Sequence, residues 1–127
     1  MAGVCGKKAL VVDDDAAIRI LVTKILRRRG FEVDSVPDGA AAIEQLMQHE
    51  YSVIVLDLMM PRIDGFGVIH YLSDHAPEMF ERVIVMTAFG QTIAEKICPP
   101  VVRFIHKPFE VERLLSEAAS AAGCAGA

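Results

Sequence analysis

The chain has 127 residues, 53% of them hydrophobic and 24% charged, with a formal net charge of −4. That is the size of one ordinary domain, long enough to bury a core without disulfides or metal staples. The acidic balance gives no general attraction to nucleic acid or anionic lipid, and no apolar run approaches the length of a membrane span.

The start carries Lys7 and Lys8, but its apolar run meets Asp13-Asp14-Asp15 too soon for the core of a signal peptide. Ala9-Leu10-Val11-Val12 is the first short apolar run and predicts a strand. Ile18, Leu21, Val22, Ile25 and Leu26 then repeat at helical spacing, with Arg27-Arg28-Arg29 in the last turn and Gly30 as the stop. Phe31 to Val36 alternates apolar and polar residues, which predicts a less buried strand. Ala41 to His49 carries Ile43, Leu46 and Met47 and predicts a second helix. Val53-Ile54-Val55-Leu56 is a second apolar run, ended by Asp57. Phe66 to His75 carries Val68, Ile69 and Leu72 on a third helix. Val83-Ile84-Val85-Met86 is a third run, ended by Thr87. A short fourth helix is expected over Gln91 to Cys98, cut off by Pro99-Pro100. Val101 to Ile105 is a weaker strand, ended by His106-Lys107-Pro108. Val111 to Ala122 closes the pattern as a fifth helix. The tail after Ala122 reads as a fraying helix end. The expected layout is an extension over residues 1–7, one domain over 8–122 and a flexible tail over 123–127.

Continuous β-branched runs are what parallel strands covered on both faces look like. Strands alternating with helices predict an α/β fold, a doubly wound parallel sheet of five strands with five helices. In such open sheets, chemistry collects beyond the carboxyl ends of the strands. Those ends hold Asp13 and Asp14, then Asp57, then Thr87, then Lys107. Three crowded carboxylates cannot all stay ionised unless a cation offsets them. Mg²⁺ suits one or two carboxylates together with phosphate oxygens and water. Lys107 supplies a second cation and Thr87 a hydroxyl, so the set suits a phosphoryl group. A carboxylate so placed can itself be the nucleophile. Any one of these residues is equally well a solvated polar group at a strand end; the joint pattern is what points to chemistry.

Asp13-Asp14 after Leu10-Val11-Val12, Asp57 in Val55-Leu56-Asp57-Leu58-Met59-Met60-Pro61, the Asp64-Gly65 turn, Thr87-Ala88 and Lys107-Pro108-Phe109 resemble the receiver domain of two-component response regulators, over about Lys8 to Ala122. The resemblance implies a flavodoxin-like sheet of strand order 2-1-3-4-5. It implies that Asp57 accepts a phosphoryl group from a histidine kinase or histidine phosphotransfer protein. It implies Mg²⁺ on Asp14, Asp57 and the backbone carbonyl of Met59, with Asp13 helping through water. Thr87 and the Ala88 backbone would contact the phosphoryl group, and Lys107 would pair with it. The Lys107-Pro108 bond would be cis. Phe104 falls at the aromatic switch position and would move inward as Thr87 shifts, changing a surface that binds a downstream protein target.

Met59 and Phe89 flank the site in the resemblance. Both are bulky and apolar, which predicts slow self-dephosphorylation. Cys98-Pro99-Pro100 departs from the family pattern, so a monomer or weak dimer is expected. Cys5, Cys98 and Cys124 are odd in number and form no CxxC, so neither a disulfide framework nor a zinc site is suggested and the cytoplasm is the expected compartment. Arg27-Arg28-Arg29 suits a helix C-terminus without any nucleic acid. Two other functions compete with the phosphoacceptor. An aspartyl-phosphate hydrolase would want a different acid motif after the first strand. A phosphorylation-independent interaction module would usually have lost an acid or the lysine. Whether the chain is a stand-alone receiver or a piece of a longer regulator or hybrid kinase stays open in the sequence.

Overall fold

A computed structural model describes residues 7–58, 65–87 and 103–123. Five parallel strands, β1 (Lys8–Val12), β2 (Glu32–Val36), β3 (Val53–Asp57), β4 (Val83–Thr87) and β5 (Arg103–His106), form one sheet in the order β2-β1-β3-β4-β5. The helices are α1 (Ala16–Arg28), α2 (Gly39–Gln48), α3 (Gly65–His75) and α4 (Val111–Ala122), with a 3₁₀ segment over Pro77–Arg82. The helix expected at Gln91 to Cys98 lies outside the described residues. The fold is the flavodoxin-like doubly wound α/β sheet.

Successive residues of a strand point to opposite faces. Leu10, Val12, Ile54, Leu56, Val83 and Val85 therefore share one face, packed with Ala42 of α2, Val68 and Leu72 of α3, and Phe80. Ala9, Val11, Val53, Val55, Ile84, Met86 and Ile105 share the other, packed with Val22 and Leu26 of α1 and Leu114 and Ala118 of α4. Covering both faces is why β3 and β4 are buried at every position. Each large aliphatic side chain enclosed this way contributes about 2 kcal/mol. β2 takes the outer place beside β1, and its alternating sequence matches its half-exposed pattern.

Local signals set the helix ends. Asp15 caps α1, its carboxylate accepting from the Ala17 and Ile18 amides at 2.9 and 3.3 Å. Asp38 caps α2 through the Ala41 amide at 2.8 Å, which is why that helix begins at Gly39 rather than Ala41. Gly30 turns the chain out of α1 with φ of 96°, a value few side chains tolerate. The Lys7 ammonium donates to the Ala122 carbonyl at 2.8 Å, on the electronegative end of α4. The 3₁₀ segment was not foreseen; it is too short to show a helical period, yet it buries Phe80.

Candidate functional site at the carboxyl edge of the sheet

Parallel strands end on the same edge, so the residues that follow β1, β3, β4 and β5 meet there. Asp13 and Asp14 follow Val12, and Asp57 closes β3. Thr87 closes β4, and Lys107 follows His106 of β5. One carboxylate oxygen from each of Asp13, Asp14 and Asp57 lies within 4.8 Å of the others. Asp13 and Asp57 are buried, whereas Asp14 is exposed toward solvent. The Lys107 ammonium reaches over them, 3.1 Å from Asp13 Oδ2 and 3.4 Å from Asp57 Oδ2. Burial acts to lower the lysine's pKa, but the charges of Asp57 and Asp13 outweigh it, and the net shift is upward. Lys107 is thus held as a cation.

Several backbone contacts build this cluster. The Lys107 amide donates to the Thr87 carbonyl at 2.8 Å, which locks the ends of β4 and β5 together. The Lys107-Pro108 peptide is cis, as the resemblance implied. The Asp15 amide donates to Asp13 Oδ1 at 2.9 Å and fixes that carboxylate. Arg19, from the first turn of α1, donates to the Asp13 carbonyl at 2.8 Å. Sequence reading passed over Arg19; the only signal was a basic residue six positions after Asp13, which carries no weight alone.

Gly65 has a sharper role than a turn residue. It opens α3 against the end of β3, and its amide donates to the Leu58 carbonyl at 3.2 Å. A Cβ there would fall 2.6 Å from Leu58 Cα and closer still to the Asp57 carbonyl oxygen. Only glycine lets α3 begin this near the acidic cluster.

Thr87 is buried beside the cluster. Phe104 is only 3% exposed and packs with the core that holds Val12, Leu56 and Val85. His106, its neighbour two residues on, is exposed, and Lys107 is partly covered. Met59, Asp64, Ala88, Phe89, the Pro99-Pro100 pair and all three cysteines lie outside the described residues. Three hard carboxylates converging at one point suit Mg²⁺ as a donor set.

Comparison with known proteins agrees with this geometry. The response regulator receiver domain family matches residues 9–119. The chain is 32% identical over 111 residues to the chemotaxis protein CheY of Bacillus subtilis, covering 85% of this chain and 91% of that one. It is 35% identical over 112 residues to the DNA-binding dual master transcriptional regulator RpaA of Synechocystis sp., covering 86% of this chain. There it spans 46% of the relative, so it corresponds to about half of such a regulator. The response regulator TrrA of Thermotoga maritima, solved in complex with Mg(2+)-BeF, superposes with a TM-score of 0.80 at 25% identity, over 91% of this chain and 98% of that one. The chain belongs to the response regulator receiver domain family, whose members are signalling modules of two-component systems. No helix among the described residues is long and apolar enough to cross a membrane.

Proposed function

We propose that Asp57 is the phosphoacceptor of this receiver domain and takes its phosphoryl group from a histidine kinase or histidine phosphotransfer protein in the cytoplasm. The observation that carries this reading is the convergence of Asp13, Asp14 and Asp57 within 4.8 Å under a lysine 3.4 Å from Asp57. A carboxylate oxygen of Asp57 attacks phosphorus. The new P–O bond forms as the P–N bond of a phosphohistidine breaks. The electron pair returns to the imidazole nitrogen, which takes up a proton from solvent.

Lys107 stands over the position where negative charge gathers on the transferred oxygens and stays protonated through the step. Thr87 offers its hydroxyl to the same group, and the Ala88 backbone would add a donor. Asp13, Asp14 and Asp57, with the Met59 carbonyl, would hold Mg²⁺, which when bound neutralises charge on the phosphoryl oxygens. Asp13 is already fixed by the Asp15 amide, so the acids are positioned in advance. Met59 and Phe89 carry no group to orient an attacking water, and slow self-dephosphorylation follows; Met59→Asn and Phe89→Glu should shorten the lifetime. The phosphorylated surface then passes the signal to a downstream protein by contact.

The test is labelling by a small acyl phosphate with and without Mg²⁺. Stoichiometric, Mg²⁺-dependent label that is lost in Asp57→Asn supports the reading. Label that persists in Asp57→Asn, or none in the wild type, overturns it.

A further inference from the structure

The sheet has two outer strands. Among the described residues, β2 and β5 each have a neighbouring strand on one side only. In a parallel pair, alternate residues turn both backbone groups toward the neighbour, and the residues between them turn both away. The Glu32 amide donates to the Lys7 carbonyl at 2.9 Å, and the Val36 carbonyl accepts from the Asp13 amide at 3.2 Å. Glu32, Asp34 and Val36 therefore face β1, whereas Val33 and Ser35 present their backbone outward. On β5 the Lys107 amide donates to the Thr87 carbonyl, so the same alternation turns the backbone of Phe104 and His106 outward. Outward groups of this kind are a template for a further strand.

On each outer strand an arginine from a flanking helix takes one of these carbonyls. Arg27, in the last turn of α1, donates through Nη2 to the Val33 carbonyl at 3.2 Å. Arg113, in the first turn of α4, donates through Nη2 to the Phe104 carbonyl at 3.1 Å, with its Nε 3.4 Å from Glu117 Oε2. Both helices cover the same face of the sheet, so the two arginines reach over its two sides from one face. A cation is favourable at the end of α1 for the helix dipole alone, but not at the start of α4. The dipole therefore cannot account for both arginines, whereas an outward carbonyl is common to both.

We propose that Arg27 and Arg113 close the two outer strands to a second copy of this chain. An incoming strand amide has to displace a charge-assisted hydrogen bond before it can pair with either carbonyl. Charge decides which strands would meet without them. β2 carries Glu32 and Asp34, so pairing with its own copy sets like charges against each other, whereas β5 begins with Arg103. The β2 of one copy against the β5 of the next continues the sheet. Such a head-to-tail contact does not close on itself, and it grows.

The test is sedimentation velocity of the full unphosphorylated chain over a wide range of concentration. The wild type should stay monomeric. Arg27→Ala and Arg113→Ala should each tighten self-association about tenfold, as one charge-assisted bond is removed from each strand. The double variant should associate more strongly than either, with a mass that keeps rising past the dimer. Arg28→Ala loses the same charge from an exposed neighbour and should behave as the wild type. Ser35→Pro deletes an outward amide of β2 and leaves the ladder to β1 intact, so in the double variant it should restore the monomer. Lysine at both positions keeps a donor and should associate less than the alanine pair. A double variant as monomeric as the wild type overturns the proposal, as does Arg28→Ala associating equally. Association that persists with Ser35→Pro and with the lysine pair alike also overturns it, because it then comes from general loss of packing rather than from the outer strands.

Discussion

The two edges of the sheet both carry acids and lysines, and they use them differently. Toward the amino-terminal edge, Lys8 reaches Asp34 in the middle of β2 at 3.5 Å, and Asp34 accepts from the Tyr51 hydroxyl at 2.7 Å, with Gln45 Oε1 3.0 Å from the same hydroxyl. One acid has one cation, and the phenol completes it. At the carboxyl edge, Asp13, Asp14 and Asp57 share Lys107. The amino-terminal edge also has the room: a cleft of about 580 Å³ lies there, lined by Tyr51, Tyr71, His75 and Arg82 among others. Yet its polar groups largely serve the fold. Arg82 donates to the Tyr51 carbonyl, and Tyr71 stacks on His75 at 4.4 Å. Unbalanced charge, not volume, marks the candidate edge. The fold tolerates that imbalance because two core faces stabilise the sheet from either side.

The largest expected effect breaks the imbalance itself. Mg²⁺ at about a hundred times its dissociation constant should stabilise the wild type by about 2.7 kcal/mol, a rise of about 6–12 °C in melting temperature. Asp57→Asn and Asp14→Asn should lose that rise, measured by thermal melts with and without the ion. A full rise retained in both variants would remove the acids from the metal site.

Gly65→Ala should follow in size. The added Cβ meets backbone of Asp57 and Leu58 rather than a movable side chain. A loss of about 2 kcal/mol in urea unfolding is expected, with slower labelling of Asp57. Lys107→Met should cost about 1–3 kcal/mol without metal, since two buried carboxylates lose their cation. Mg²⁺ should then stabilise the variant more than the wild type, because it becomes the main counter-charge. Equal Mg²⁺ effects would mean that Lys107 and the ion answer to different charges.

The smallest effect tests the balanced edge. Tyr51→Phe should cost about 1 kcal/mol at neutral pH, the worth of one hydrogen bond to a charged acceptor at the low end. Its pH dependence has a definite sign. The Tyr51 hydroxyl lowers the Asp34 pKa, burial opposes it, and Lys8 adds to the lowering. That stability is present above the ordinary carboxylate range and is lost as pH falls through the lowered value. Burial, then the bond to Asp34, raises the Tyr51 pKa above the usual phenol range. That stability is present below about pH 10 and is lost as pH rises through the raised value. Tyr51→Phe should flatten both limbs of the stability profile, and unchanged limbs would rule the pair out as their source.

The strands were the most legible elements. Val53 to Leu56 and Val83 to Met86 are unbroken apolar runs because helices cover both faces of a parallel sheet, and burial of β3 and β4 at every position matches. The acids and Lys107 were legible for a related reason: each follows such a run directly, so finding the strand finds its end. Asp15 was harder, since a third acid in a row looks like more of the cluster, while in the fold it caps α1. Phe80 was missed because its 3₁₀ segment has no period to read.

By itself, the sequence determined which segments alternate, that the sheet is parallel, and which side chains arrive at its carboxyl edge. These follow from local pattern, because periodicity and chain direction are properties of neighbours. Only the tertiary structure decided that Gly65 must lack a side chain, that Lys107 contacts both Asp13 and Asp57, and that Arg113 reaches the Phe104 carbonyl. Those depend on distances between residues far apart in the chain, and packing alone sets such distances.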